Sequence, residues 1–167
     1  MRFALSPITE PEAREISRWR YEEPYSMYDG EPSSVPSLLD ERFAYHSVRD
    51  ERGELAGYFC FGEDAQVPEG RRLGLYDETA LDLGLGMRPG LTGRGIGLSF
   101  VEAGLRFAAE RYAPAALRLT VAVFNERAIR VYTNAGFESM TTFGGSMVSG
   151  GREWLLMLRR PDQKPKK

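Results

Sequence analysis

One cysteine and one histidine in 167 residues leave little room for several kinds of chemistry. The lone thiol, Cys60, has no partner for a disulfide within the chain, which suits a reducing compartment. It sits in the apolar run Tyr58-Phe59-Cys60-Phe61 and reads as a small buried hydrophobe rather than a nucleophile. The lone His46 argues against a His-based triad or a multi-histidine metal site, so no metal is expected. Long hydrophobic runs are also lacking. No window approaches the roughly 20 apolar residues of a membrane span, and the N-terminus has no apolar signal core. The expectation is a cytoplasmic chain with no membrane partner. An excess of one charge is missing too: 22 basic residues face 24 acidic ones, for a net charge of -2. No global field therefore points to nucleic acid.

What is present is ordinary for a globular domain, with 42% hydrophobic and 28% charged residues. The length suits one domain, expected over residues 1–160, with a polar basic tail at 161–167 expected to be disordered. Arg2 to Ile8 reads as a first strand. Thr9 is placed to cap a helix, and Glu12 three residues later completes a capping box. An aromatic-dense loop follows, in which Trp19, Tyr21, Tyr25 and Tyr28 either cap the core or line a ligand pocket. A short helix is expected over Val35–Glu41. Phe43–Arg49 and Glu54–Gly62 read as an antiparallel hairpin, in which His46 is a packed or hydrogen-bonded strand residue. Residues 63–79 read as a long irregular connection.

The second half is more regular. Ala80–Met87 reads as a strand, Gly95–Tyr112 as a helix ended by Pro114, and Leu117–Val123 as an alternating strand. Asn125 caps a helix running to Ala135, with Gly136 as its C′ residue. Phe137–Phe143 and Glu153–Arg159 are the last strands, joined by a turn over Gly144–Gly151. This order gives a mixed sheet in which only the crossovers around the two later helices force parallel neighbours.

The densest signal is Leu81 to Gly97, an apolar strand, a proline-punctuated loop and a glycine turn opening into a helix. A turn of this kind leaves backbone N–H groups uncovered at a helix N-terminus, which suits phosphate. It is not the dinucleotide fingerprint, because Gly93-Arg94-Gly95-Ile96-Gly97 is followed by no acid-tipped second strand. It is not a Walker loop either, since no Gly-Lys-Ser/Thr closes it.

Taken together with the later elements, the sequence resembles the GCN5-related N-acetyltransferase (GNAT) superfamily over nearly its whole length. The family motif Arg/Gln-x-x-Gly-x-Gly/Ala follows a strand ending in hydrophobic-x-Pro. It is matched by Met87-Arg88-Pro89 and Thr92-Gly93-Arg94-Gly95-Ile96-Gly97, with Thr92 standing where Arg or Gln is usual. A second signature, Asn-x-x-Ala-x-x-x-Tyr-x-x-x-Gly-Phe, is complete in Asn125, Ala128, Tyr132, Gly136 and Phe137. The resemblance implies an α+β fold with a mostly antiparallel sheet of about seven strands, flanked by about four helices and opened as a V between the fourth and fifth strands. It implies acetyl-CoA as donor and an amine as acceptor. Relatives of this kind are often dimers, so a homodimer is a possible assembly.

On this reading Leu85, Gly86 and Met87 meet the pantetheine, as an added strand would. Thr92, Gly93, Arg94, Gly95, Ile96 and Gly97 cradle the pyrophosphate. Gly84 and Gly86 share a strand face, either to admit the pantetheine or thioester or to form a bulge. Asn125 and Tyr132 lie two helical turns apart, about 10 Å. Asn125, with Ala128, would touch the pantetheine arm, and Tyr132 would protonate the departing thiolate. A proton must also leave the amine. Asp82 is the first candidate to receive it, with Glu78 and Asp77 behind it. The acceptor expected from the aromatic loop and nearby acids is a small cationic amine or a protein N-terminus. An acyl-CoA-binding regulatory domain without acceptor chemistry, and an enzyme binding another phosphate ligand, remain as alternatives.

Overall fold

A computed structural model describes residues 1–147 and 150–161; of the basic tail expected at 161–167, all but Pro161 lies outside these. Seven strands form one sheet in the order β1-β2-β3-β4-β5-β7-β6. They are β1 (Ala4–Pro7), β2 (His46–Arg49), β3 (Leu55–Phe61), β4 (Leu81–Met87), β5 (Leu117–Ala122), β6 (Glu138–Gly144) and β7 (Glu153–Arg159). Five α-helices accompany them: α1 (Glu10–Ile16), α2 (Val35–Leu39), α3 (Pro68–Arg72), α4 (Gly97–Tyr112) and α5 (Glu126–Asn134). Every strand pair is antiparallel except β4 with β5. That is the α+β architecture expected, with one helix more than anticipated. The extra helix is α3, which with a 3-10 turn at Glu63–Ala65 occupies the connection read as irregular.

Local chemistry accounts for the element ends. The Glu12 carboxylate accepts from both the Thr9 backbone N–H and the Thr9 hydroxyl at 2.9 Å, which fixes the start of α1. The Asn125 side chain accepts from the Ala128 N–H and starts α5. Strand β2 begins at His46, later than the pattern suggests, because Glu41–Phe43 turns as a 3-10 helix and Ala44 takes a left-handed conformation.

β3 lies near the middle of the sheet and is covered on both faces. Phe59 stacks on Phe100 of α4 at a centroid distance of 5.0 Å, and Phe61 packs on Phe107. Burying each such ring contributes roughly 1.5–3 kcal/mol. On the opposite face Tyr58 stacks on Trp19, within a second apolar cluster that contains Ala13, Ile16, Leu38 and Leu55. His46 is half-buried between Phe61 and Phe107, so it behaves as a packed strand residue.

The decisive feature for the site is how briefly β4 and β5 pair. Their register covers only Leu81 with Leu117 and Asp82 with Arg118, after which β4 runs on to Met87 without a β5 partner. β5 meanwhile stays paired with β7 along its whole length. The sheet therefore opens as a V between its fourth and fifth strands. At the apex the buried Asp82 carboxylate takes two bonds from the Arg118 guanidinium, at 2.6 and 2.8 Å. Gln66 donates a third at 2.8 Å. Removing one partner of a buried pair leaves the other uncompensated, typically a loss of about 3–5 kcal/mol. Asp77 still contacts Arg118, so Asp82→Ala should cost about 3 kcal/mol, at the lower end of that range. A urea unfolding series measures it, and a loss below about 1 kcal/mol would remove the pair from this role.

Candidate active site

The open arm of β4 offers unpaired backbone groups, and parity identifies them. Gly62 donates to the Asp82 carbonyl and Arg88 donates to the Ala56 carbonyl. In an antiparallel pair such bonds recur at every second residue, so 82, 84, 86 and 88 spend their backbone groups on β3. Residues 83, 85 and 87 face the other way, as Leu81 does in donating to the Ala116 carbonyl on the β5 side. With β5 gone after Asp82, the N–H groups of Leu85 and Met87 point into the opening. The Met87 carbonyl is already engaged, accepting from the Tyr21 hydroxyl at 2.7 Å.

A cleft of about 830 Å³ fills the V. At one end lies the glycine turn. Gly93 and Gly95 adopt φ of +73° and +76°, the left-handed conformation that favours glycine. They lead into a 16-residue helix, α4, whose first turn carries no side-chain cap and no acidic residue. Its N–H groups are thus available to an anion. Arg127 and Arg130 of α5 line the same end of the cleft. The Arg127 guanidinium approaches the Gly93 position closely and lies 3.9 Å above the Tyr25 ring. Thr92, the irregular residue of the motif, turns its hydroxyl to the Pro89 carbonyl at 2.8 Å.

Much of the remaining wall is phenolic: Tyr25 lies beneath Arg127, Tyr28 and Tyr21 adjoin it, and Tyr45 and Tyr58 lie beside Cys60 and Asp64. Here the sequence reading of Gly84 and Gly86 needs correction. In register, Cys60 faces Gly84 and Tyr58 faces Gly86. A Cβ at Gly86 would stand 2.4–2.6 Å from the Tyr58 ring, and one at Gly84 would stand 2.6 Å from Cys60 Sγ. The space these glycines leave is filled by neighbouring side chains, which are thereby drawn over β4 to form the cleft wall. Burial pushes the Cys60 thiol up to about 12, so it is a neutral, inert wall atom.

From the β5 side, α5 presents Asn125, Ala128 and Tyr132 to the cleft. The Asn125 amide donates to the Tyr28 hydroxyl at 3.2 Å, tying the aromatic loop to α5. The Tyr132 ring is half-buried against Phe137. Its hydroxyl makes no hydrogen bond to any described residue. Burial raises the Tyr132 phenol well above its usual range, and the same cause raises Tyr21, Tyr45 and Tyr58.

The structure thus brings together on one cleft Leu85, Gly86, Met87, Thr92, Gly93, Gly95, Gly97, Asn125, Ala128, Tyr132, Tyr21, Tyr25 and Tyr28. It leaves others outside. Arg94 is exposed on the turn, and Ile96 is the capping position of α4. Trp19 belongs to the second apolar cluster and borders only a smaller side cavity. Asp82, the first candidate to receive a proton, is 4% exposed with both oxygens engaged by Arg118 and Gln66. Glu78 and Asp77 are exposed and do not line the cleft. Sequence reasoning missed Tyr45, Tyr58, Asp64, Arg127 and Arg130. The two arginines carried a signal, lying three apart on a helix whose cap was already identified. The others depend on register across β2, β3 and β4.

A family model described as Acetyltransferase (GNAT) family matches residues 11–137. No curated protein sequence matches the chain. Among solved structures, a spermidine N-acetyltransferase chimera of SpeG from Vibrio cholerae and hSSAT is similar at TM-score 0.71 and 16% identity, over 96% of each chain. The acetyltransferase AAC(6')-Ib in complex with ribostamycin and coenzyme A is similar at TM-score 0.71 and 19% identity, over 98% of this chain and 96% of that one. A GNAT-family acetyltransferase from Bacillus anthracis is similar at TM-score 0.71 and 11% identity, over 96% of this chain and 95% of that one.

The phenolic wall has a measurable consequence. The folded state holds the protons of these tyrosines where the unfolded chain, ionising near pH 10, releases them. Folded protein therefore binds more protons above about pH 10, and stability should fall as pH rises past that point. Ultraviolet titration should show fewer phenolates in the folded chain than in urea at the same pH. Coincident titration curves would contradict the buried environment.

Proposed function

Given that this chain belongs to the acetyltransferase (GNAT) family, we propose that it transfers an acetyl group from acetyl-CoA to a primary amine by direct attack. One observation carries the reading: an unpaired β4 edge leads onto an uncapped helix N-terminus, and a Tyr132 hydroxyl without a partner among the described residues lines the same cleft. An anionic, amide-bearing donor suits that sequence of groups. The two solved relatives named for spermidine and seen with coenzyme A support the donor and the general class of acceptor.

Each residue then has a task. The N–H groups at Gly93 to Gly97, with Arg127 and Arg130, would hold the pyrophosphate. Leu85 and Met87 would bond the pantetheine amides as an added strand does. A backbone N–H near Met87 would polarise the carbonyl oxygen under attack. Acetyl-CoA supplies an acetyl carbonyl activated by its thioester. Tyr132 would donate its proton to the departing sulfur. A phenol raised by burial stays protonated at neutral pH, which suits a donor of protons and not a base. Asn125 acts by holding Tyr28 and the start of α5 in place.

Release of free thiol from acetyl-CoA, dependent on added amine, tests the reaction directly. Slow thiol release that no amine accelerates would favour a binding domain. Tyr132→Phe should lower kcat at least tenfold while the Kd for acetyl-CoA stays within about twofold, since general-acid groups contribute about 10²–10⁴. Unchanged turnover would take Tyr132 out of the mechanism.

A further inference from the structure

The charges lining the cleft are few and segregated. Among the described residues they are Arg127 and Arg130, both on α5 at the glycine-turn end, and a single carboxylate, Asp64. Asp64 follows β3 in the 3-10 turn Glu63–Ala65, and the neighbouring Ala65 lies close against Gly84 of β4. It therefore stands beside the middle of the open β4 arm, among Tyr45, Tyr58 and Cys60.

We propose that Asp64, held by Tyr45, receives the ammonium group of the acceptor and takes its first proton. The inference rests on the acetyl-transfer reading above. The Tyr45 hydroxyl donates to Asp64 Oδ2 and so fixes the carboxylate's orientation. Asp64 Oδ1 has no partner among the described residues. The phenolic rings around it suit a cation, which is attracted to aromatic faces. Among the described residues lining this part of the cleft, no other group can do the work. Tyr45 and Tyr58 are pushed up by burial, and Asp64 itself adds to the effect on both, so neither is a phenolate near neutral pH. Cys60 is a neutral thiol for the same first reason. From β4, Asp82 is closed off by Arg118 and Gln66, and Glu63 pairs outward with Arg71.

The proton count closes. The ammonium gives one proton to Asp64 Oδ1, and the nitrogen lone pair forms the C–N bond at the acetyl carbonyl. The C–S bond breaks with its electron pair on sulfur, which takes the Tyr132 proton. The second nitrogen proton restores the Tyr132 phenol, and Asp64 returns its proton to solvent. The net result is an amide, a free thiol and one released proton.

The test compares two acceptor classes with the full-length chain: alkylamines, protonated at neutral pH, and arylamines, uncharged there. The wild-type protein should prefer alkylamines. Asp64→Asn should lower kcat/KM for alkylamines about 100-fold and for arylamines less than tenfold, with the Kd for acetyl-CoA within twofold. Asp64→Glu should recover part of the alkylamine rate. Equal losses for both classes, or undiminished alkylamine turnover in Asp64→Asn, would overturn the assignment while leaving acetyl transfer intact. Absence of transfer to any amine by the wild-type protein would overturn both.

Discussion

The ion pair between Asp82 and Arg118 determines where the sheet stops being a sheet. It joins β4 to β5 at the last point where they pair, and beyond it the strands part. Arg118 is also held by Asp77 and lies over the Tyr76 ring, while Tyr76 bonds to Thr120 further along β5. Such a buried group is expensive to desolvate and contributes little net stability against an apolar alternative. What it supplies is position. Two strands that part abruptly need a fixed apex, or the opening would drift along their length.

The two arms of that opening are built differently. The β4 arm is a bare backbone edge, padded from β3 by Tyr58 and Cys60 over Gly86 and Gly84. The β5 arm is a wall of side chains from α5, carrying Asn125, Ala128 and Tyr132. Positive charge collects where Arg127 of α5 nears the glycine turn, and the one carboxylate lining the cleft among the described residues, Asp64, stands beside Gly84 of β4. An anionic ligand and a cationic one would thus be drawn to different parts of one cleft, a division that needs no net charge on the molecule.

Features encoded within a few residues were legible in the sequence. The Thr9–Glu12 capping box, the Asn125 cap and the glycine turn at Gly93–Gly97 all announce themselves locally. The strands of the second half were legible for the same reason, through alternation. Asp82 was not, because its partner Arg118 is 36 residues away and a carboxylate beside a cleft looks the same on paper whether paired or free. Tyr45, Tyr58 and Asp64 converge only once three strands are in register. The connection at 63–79 hid a helix because five residues from Pro68 to Arg72 are too few to show a period. Glycine misled for a related reason: Gly84 and Gly86 do make room, but for their own neighbours.

Tyr21 donates to the carbonyl of Met87, Asn125 to the hydroxyl of Tyr28, and Arg127 stacks on Tyr25. The aromatic loop is therefore fastened at three points to the two arms of the cleft. A loop grafted here to change the acceptor would have to reproduce those three fastenings or disturb the donor side as well. On the proposed function, selectivity would not be a detachable module, and changes in it should come by single residues within the loop rather than by exchange of the whole segment.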